Sequence, residues 1–266
     1  MNPRGDKAET VSGPGWSNLL CGVWPDKHGV TNNTFKGRDY ESYPHFFAHV
    51  REAYPGAKLY SFVTWTPIKK YIVSAADESD DFTTDPKKPD YAKADTLCLE
   101  QAIRTLETGD PDVLMVYQGQ VDEAGHSKGF HPTVKEYVTA IETVDANVGK
   151  LLTALKARPG YAKENWLILV STDHGGKGTN HSGRDNPEVT TIFQIVNGPA
   201  AAKGAIEGPT YQVDLVATAL THLGIAHETG VEARRQSDRI EVGIGEPIHQ
   251  LSNFAHARVL AHGRFS

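Results

Sequence analysis

The stretch from Val113 to Ser171 constrains the fold more than any other part of the chain. Val113 to Tyr117 is an apolar run with the length of one buried strand. Val134, Val138, Ile141, Val148, Leu151, Leu152 and Leu155 then recur at three-to-four spacing, in a helix opening at Pro132 and stopping near Pro159-Gly160. Trp166 to Ser171 is a second apolar run. Strand, long helix, strand is the pattern of a right-handed crossover, which brings the carboxyl ends of two parallel strands to one edge of a sheet. The alternation continues outward, with strands over Ala57–Val63 and Thr191–Val196 and helices over Tyr91–Leu106 and Val213–Leu223, the last closed by Gly224. Such a chain is expected to be an α/β protein with a mostly parallel central sheet and helices on both faces. One domain is expected over 1–266, with 67–93, rich in Asp, Lys and Pro, as a surface insertion and 230–266 as a weakly patterned tail.

Composition narrows the partners. With 266 residues, 39% of them hydrophobic, one substantial core can be buried. The formal charge of −6 is spread along the chain and no basic tract alternates with aromatics, so a nucleic-acid partner is not expected. No apolar stretch reaches the roughly 20 residues that span a bilayer. Met-Asn-Pro-Arg-Gly-Asp is not a signal peptide, so the sequence indicates no compartment. Cys21 and Cys98 are too few for a disulfide framework or a cysteine zinc site, and two buried thiols are expected.

Chemistry-bearing residues cluster just after the two apolar runs. Asp122 and His126 follow the first, Asp173 and His174 follow the second, and His181 comes after a Gly-rich loop. Each histidine alone reads as a surface or hydrogen-bonded residue. Together the five oxygen and imidazole donors, with no thiolate, have the composition of a two-zinc hydrolase, and Mn²⁺ suits the same donors. Gly125 and Gly175-Gly176 are expected to let the backbone turn so that neighbouring side chains converge. Near the start, Thr10 to Gly22 reads as one short helix with Ser12 at the N-cap, Pro14 in the first turn and Gly22 at the end. Ser12 is then either a plain cap or a hydroxyl presented to an anion held at the helix N-terminus.

The run Ser12-x-Pro14 through Leu19-Leu20-x-Gly22, followed by Trp24-Pro25-Asp26-Lys27-His28-Gly29-Val30, resembles the nucleophile segment of the alkaline phosphatase superfamily. Its type I phosphodiesterase/nucleotide pyrophosphatase branch is the most similar. Asp122-Glu-Ala-Gly-His126, Thr172-Asp173-His174-Gly175-Gly176 and His181 resemble that branch's metal motifs in the same order, and the likeness runs from residue 10 to about 225. The resemblance implies an alkaline phosphatase-like fold and hydrolysis of a small phosphate ester. It implies Ser12 as nucleophile, one zinc on Asp122, His126 and His181, and another on Asp173, His174 and the Ser12 oxygen.

Three departures shape the expectation. The resemblance implies a further metal-binding aspartate from a strand before the nucleophile. Only eleven residues precede Ser12, so an N-terminally truncated chain is expected. Gly15 stands where the resemblance implies an asparagine donating to the transferred phosphoryl, leaving that role to backbone N–H groups at Gly13 and Gly15. Trp16 stands where sulfatases carry an arginine. A phosphomonoesterase, a phosphonate hydrolase, a sulfatase or an inactive truncated metal-binding domain are the alternatives left open.

Overall fold

A computed structural model of the chain describes residues 9–85, 88–206 and 208–226, and beyond them the backbone of three short strands. The chain opens with helices α1 (Ser12–Cys21), α2 (Pro25–His28) and α3 (Phe46–Ala53), then strand β1 (Leu59–Val63), a π-helical turn (Ile68–Ile72) and β2 (Glu78–Asp81). Next come α4 (Tyr91–Thr108), β3 (Val113–Tyr117), α5 (Gln120–Lys128), α6 (Lys135–Lys156), a 3₁₀ turn (Tyr161–Lys163) and β4 (Asn165–Ser171). After α7 (Pro187–Thr190) follow β5 (Gln194–Asn197), β6 (Ala202–Lys203), α8 (Asp214–His222), β7 (Glu241–Val242), β8 (Arg258–Val259) and β9 (Ala261–Gly263). Every strand and helix expected from apolar pattern is present. The α6 helix starts three residues after Pro132, because Val134 N–H bonds the His131 carbonyl (2.9 Å) and His131 Nδ1 bonds Thr133 Oγ1 (2.8 Å), closing a turn first.

β1 pairs in parallel with β2 and with β3. β8 lies antiparallel to β3, and β9 antiparallel to β4. β8 and β9 are almost continuous in sequence, so β3 and β4 point the same way and their carboxyl ends share one edge. The parallel arrangement stops at β5, which is antiparallel to β4.

Alternate residues of β3 divide between two cores, as the pleat requires. Val113, Met115 and Tyr117 of β3 face a cluster that includes Trp16, Leu19 and Leu20 of α1, Phe47 and Val50 of α3, and Val216 and Leu220 of α8. Leu114 and Val116 face the other side, with Cys98, Leu99 and Leu106 of α4, Leu151 and Leu155 of α6, and Trp166, Ile168 and Val170 of β4. Each fully buried Leu contributes about 2 kcal/mol to holding a helix on its face. Helices on both faces are what the sequence pattern implies, and both cysteines are buried thiols, that of Cys98 lying 3.4 Å from the Tyr117 carbonyl.

The segment 67–93 does more than decorate the surface. Ile68, Ile72 and Val73 are buried in the α1-side core, and Glu78–Asp81 forms the edge strand of the sheet. Of the tail 230–266, the structure describes only the strand backbones named above; the rest lies outside the described residues.

Candidate nucleophile and metal site

Ser12 is the first helical residue of α1, and the extended Val11 occupies the N-cap. Ser12 therefore does not cap the helix. Its Oγ lies instead 3.5 Å from His174 Nε2, so the hydroxyl expected as either cap or nucleophile faces the histidine cluster. The N–H groups of Gly13 and Gly15, expected to meet substrate, each have a partner within the chain. Gly13 N–H donates to Asn33 Oδ1 at 2.6 Å, and Gly15 N–H donates to the Val11 carbonyl at 3.1 Å. The reason for Gly15 is space: a Cβ there would lie 2.9 Å from Asp173 Cβ and 3.0 Å from Asp173 O. Helix α1 thus rests directly on the end of β4. Trp16 fills core, edge-on to Tyr117 at 5.4 Å.

The five acidic and imidazole residues come together. On α5, Asp122 and His126 are one turn apart, with Oδ2 and Nε2 at 3.5 Å. Beyond β4, Asp173 Oδ2 lies 3.4 Å from His174 Nε2. The His181 ring stacks on His174 with centroids 3.8 Å apart and meets the His126 ring at 4.8 Å. Ligand atoms of Asp122, His174 and His181 all lie within 4.8 Å of one another. This tight trio cuts across the two ligand sets that the resemblance implies, because the two sets abut. His126 is the most exposed member, its side chain 40% accessible.

The glycines work through close approach, not through special turns. A Cβ on Gly175 would lie 2.2 Å from Glu188 O, and one on Gly125 or Gly176 would strike the Phe130 ring at 2.2 or 2.3 Å. The Phe130 ring in turn packs edge-on against His126 and His181.

One feature is shared by all three imidazoles. Nδ1 of His126 lies 2.9 Å from the Thr179 carbonyl, Nδ1 of His174 lies 2.9 Å from the Gly175 carbonyl, and Nδ1 of His181 lies 2.8 Å from the Thr10 carbonyl. A carbonyl only accepts, so each Nδ1 carries a hydrogen, and Nε2 is the nitrogen each ring turns to the cluster. That arrangement fixes tautomer and ring angle in the way metal-binding histidines require. Burial disfavours the cation of His181, with His174 adding to the effect, and lowers its pKa to about 4. A neutral ring beside two carboxylates and two further Nε2 atoms is a donor set that fits a divalent cation.

Two supporting residues left no sequence signal. Asn33 is an exposed residue of a polar loop, yet its side chain grips the N–H next to Ser12. Asp95 of α4 is fully buried and accepts from Gly119 N–H (2.8 Å), Gln120 N–H (2.9 Å) and Thr64 Oγ1 (2.8 Å). It therefore holds the first residues of α5, the helix that carries Asp122. Of the aromatics, Trp65 and Tyr71 enclose Phe35, which has φ 56° and stacks on Tyr71 at 4.7 Å. They pack that loop.

The family model described as type I phosphodiesterase/nucleotide pyrophosphatase matches residues 8–195. The chain is 30% identical over 154 residues to the 2,3-bisphosphoglycerate-independent phosphoglycerate mutase of Haloarcula marismortui, covering 56% of this chain and 27% of that protein. It is 26% identical over 228 residues to the human GPI ethanolamine phosphate transferase 2 catalytic subunit, covering 82% of this chain and 22% of that protein. The chain thus spans about a quarter of the length of either relative. A crystal structure of a candidate sulfatase from Bacteroides thetaiotaomicron is similar in fold, with a TM-score of 0.56 and 16% identity over 88% of this chain and 64% of that one. Among the described residues no helix is long and apolar enough to cross a membrane.

Proposed function

The chain belongs to the type I phosphodiesterase/nucleotide pyrophosphatase family, and from that premise we propose that it is a metal-dependent hydrolase of small phosphate esters with Ser12 as nucleophile. The observation that carries this reading is the meeting of the Ser12 hydroxyl with five ionisable donors at one sheet edge, every imidazole there presenting Nε2. Asp122, His126 and His181 would hold one ion, and Asp173, His174 and the Ser12 oxygen the other. Zn²⁺ suits these donors best and Mn²⁺ is compatible. When bound, two such ions supply positive charge that stabilises phosphoryl oxygens and makes a neighbouring hydroxyl more acidic.

The chain's own residues do the rest. Ser12 Oγ bonds to phosphorus as the bond from phosphorus to the leaving alcohol oxygen breaks. Water then cleaves the phosphoserine and restores the hydroxyl. With the N–H groups of Gly13 and Gly15 engaged, we assign the donor to the transferred phosphoryl to the carboxamide NH₂ of Asn33, whose oxygen already sits on the residue after Ser12. Positioned donors of this kind act where charge develops.

A second reading is favoured by the relatives, one a mutase and one a transferase by name. The same phosphoserine could pass its group to an alcohol in place of water. Glycerol added during turnover separates the two, since a transferase would form glycerol phosphate in preference to free phosphate. The test of the main reading is Ser12→Ala assayed on bis-p-nitrophenyl phosphate. Turnover should fall by about 10³-fold or more while two equivalents of metal stay bound; wild-type hydrolysis by the variant would remove Ser12 from the mechanism.

A further inference from the structure

The segment Trp24 to Val30 contributes neither nucleophile nor metal donor, yet it contains one of the most deeply buried polar residues of the chain. His28 is 0% exposed. Val30 N–H donates to His28 Nδ1 at 3.1 Å, so the ring hydrogen is on Nε2, which lies 2.8 Å from Asn18 Oδ1. Asn18 Nδ2 donates to Gln212 Oε1 at 2.8 Å, and Gln212 Nε2 donates to the Asp173 backbone carbonyl. A backbone N–H can only donate and a carbonyl can only accept. Both ends of the chain therefore impose one direction on every group between them. Asn18, Gln212 and Asp173 are 6%, 7% and 2% exposed, so water cannot easily replace a lost partner.

We infer that His28 is a positioning residue: through Asn18 and Gln212 it holds the backbone of Asp173, and with it the carboxylate and the adjoining His174 imidazole, in place for metal. The inference rests on the metal site proposed above. Four parts of the fold meet in this relay: the end of α2, the middle of α1, the lead into α8 and the segment just after β4. Losing any group leaves its buried neighbours unsatisfied and frees the end of β4 to shift. Outer-shell partners of metal ligands typically change metal affinity or activity by roughly 10–100-fold.

The test uses the full chain with His28→Leu, Gln212→Leu, the double variant and His28→Gln. The last keeps an N–H donor near the place of Nε2. Zn²⁺ binding by calorimetry and kcat and KM on bis-p-nitrophenyl phosphate are measured for each. Each Leu variant should weaken one of two Zn²⁺ sites and lower kcat by roughly 10–100-fold, with KM nearly unchanged. The double variant should lose no more than the worse single one, and His28→Gln should recover most of the loss. Wild-type values in either Leu variant, or losses that multiply in the double variant, would overturn the inference. Wild-type protein that takes up no Zn²⁺ and cleaves no ester would instead sink the proposed function. The relay is then decided by imidazole ¹⁵N resonances of wild type: a fixed Nε2–H tautomer for His28 supports it, and an Nδ1–H tautomer refutes it.

Discussion

A methyl group at position 15 has nowhere to go. It would press on Asp173 Cβ at 2.9 Å and on the Asp173 carbonyl at 3.0 Å, and neither is the loose end of a flexible side chain. Gly15→Ala should therefore cost about 1–3 kcal/mol of stability and, by displacing a candidate metal ligand, lower kcat on a phosphodiester by roughly 10²-fold. Urea denaturation and initial rates check both, and a variant equal to wild type in both would mean that α1 can back away freely. Among single residues, Asp122, His126, Asp173, His174 and His181 stand out in the sequence because their types and spacing carry chemistry, whereas Ser12 stands out as a nucleophile only through the family resemblance and otherwise reads as a plain cap. Gly15 was legible only as a glycine, since spacing does not tell a glycine that contacts substrate from one that lets a helix approach a strand. Asn33 gave no signal: polar residues between Gly29 and Gly37 read as an ordinary loop until the fold brings them against α1.

At the scale of elements, what the sequence disclosed was whatever depends on local pattern. β3, β4 and α6 follow from apolar period and length, and α1 ends where Gly22 adopts φ 67°, as a helix-closing glycine should. The α5 helix did not follow. Its N-cap is Gly119, with no side-chain cap of its own, and the acceptor for its first N–H groups is Asp95, 24 residues earlier than Gly119. A cap supplied across the fold has no local signature. β2 was hidden for a different reason: Glu-Ser-Asp-Asp shows no apolar alternation because an edge strand need bury little. Asp95→Ala would leave the buried Gly119 N–H and the part-buried Gln120 N–H without their acceptor. It should destabilise the fold by about 3 kcal/mol, read as a lowered urea midpoint at unchanged slope; a shift equivalent to less than about 0.5 kcal/mol would show that α5 does not depend on it.

For the molecule as a whole, buried neutral histidines set the acid limit. Burial lowers the pKa of His28 and of His45 from 6.5 to about 4, and in both a ring nitrogen accepts a backbone N–H, from Val30 and from Ser74. The unfolded chain takes up protons near pH 6.5 that the folded chain refuses until about pH 4. Stability should be flat above that window and fall through it on acidification, by up to about 1.4 kcal/mol per pH unit for each ring. Urea midpoints from pH 7 to pH 4 test the sign, and midpoints rising as the pH drops would contradict it. Cations should add stability on top: at a Zn²⁺ concentration 100 times its dissociation constant, one site gives about 2.7 kcal/mol, visible as a higher Tm than after treatment with chelator.

The carbonyls of Thr10, Gly175 and Thr179 have one more consequence. Binding a metal ordinarily expels hydrogen ions from its ligands, but His181 is already stripped at Nε2, and near pH 8 a free imidazole has none to give there. Hydrogen ions appearing in solution as zinc is loaded would then have a source other than His181 Nε2, and the Ser12 hydroxyl, 3.5 Å from His174 Nε2, is the candidate the proposed mechanism names. Calorimetric titrations in buffers of unlike ionisation enthalpy would count them: close to one per chain from wild type and close to none from Ser12→Ala.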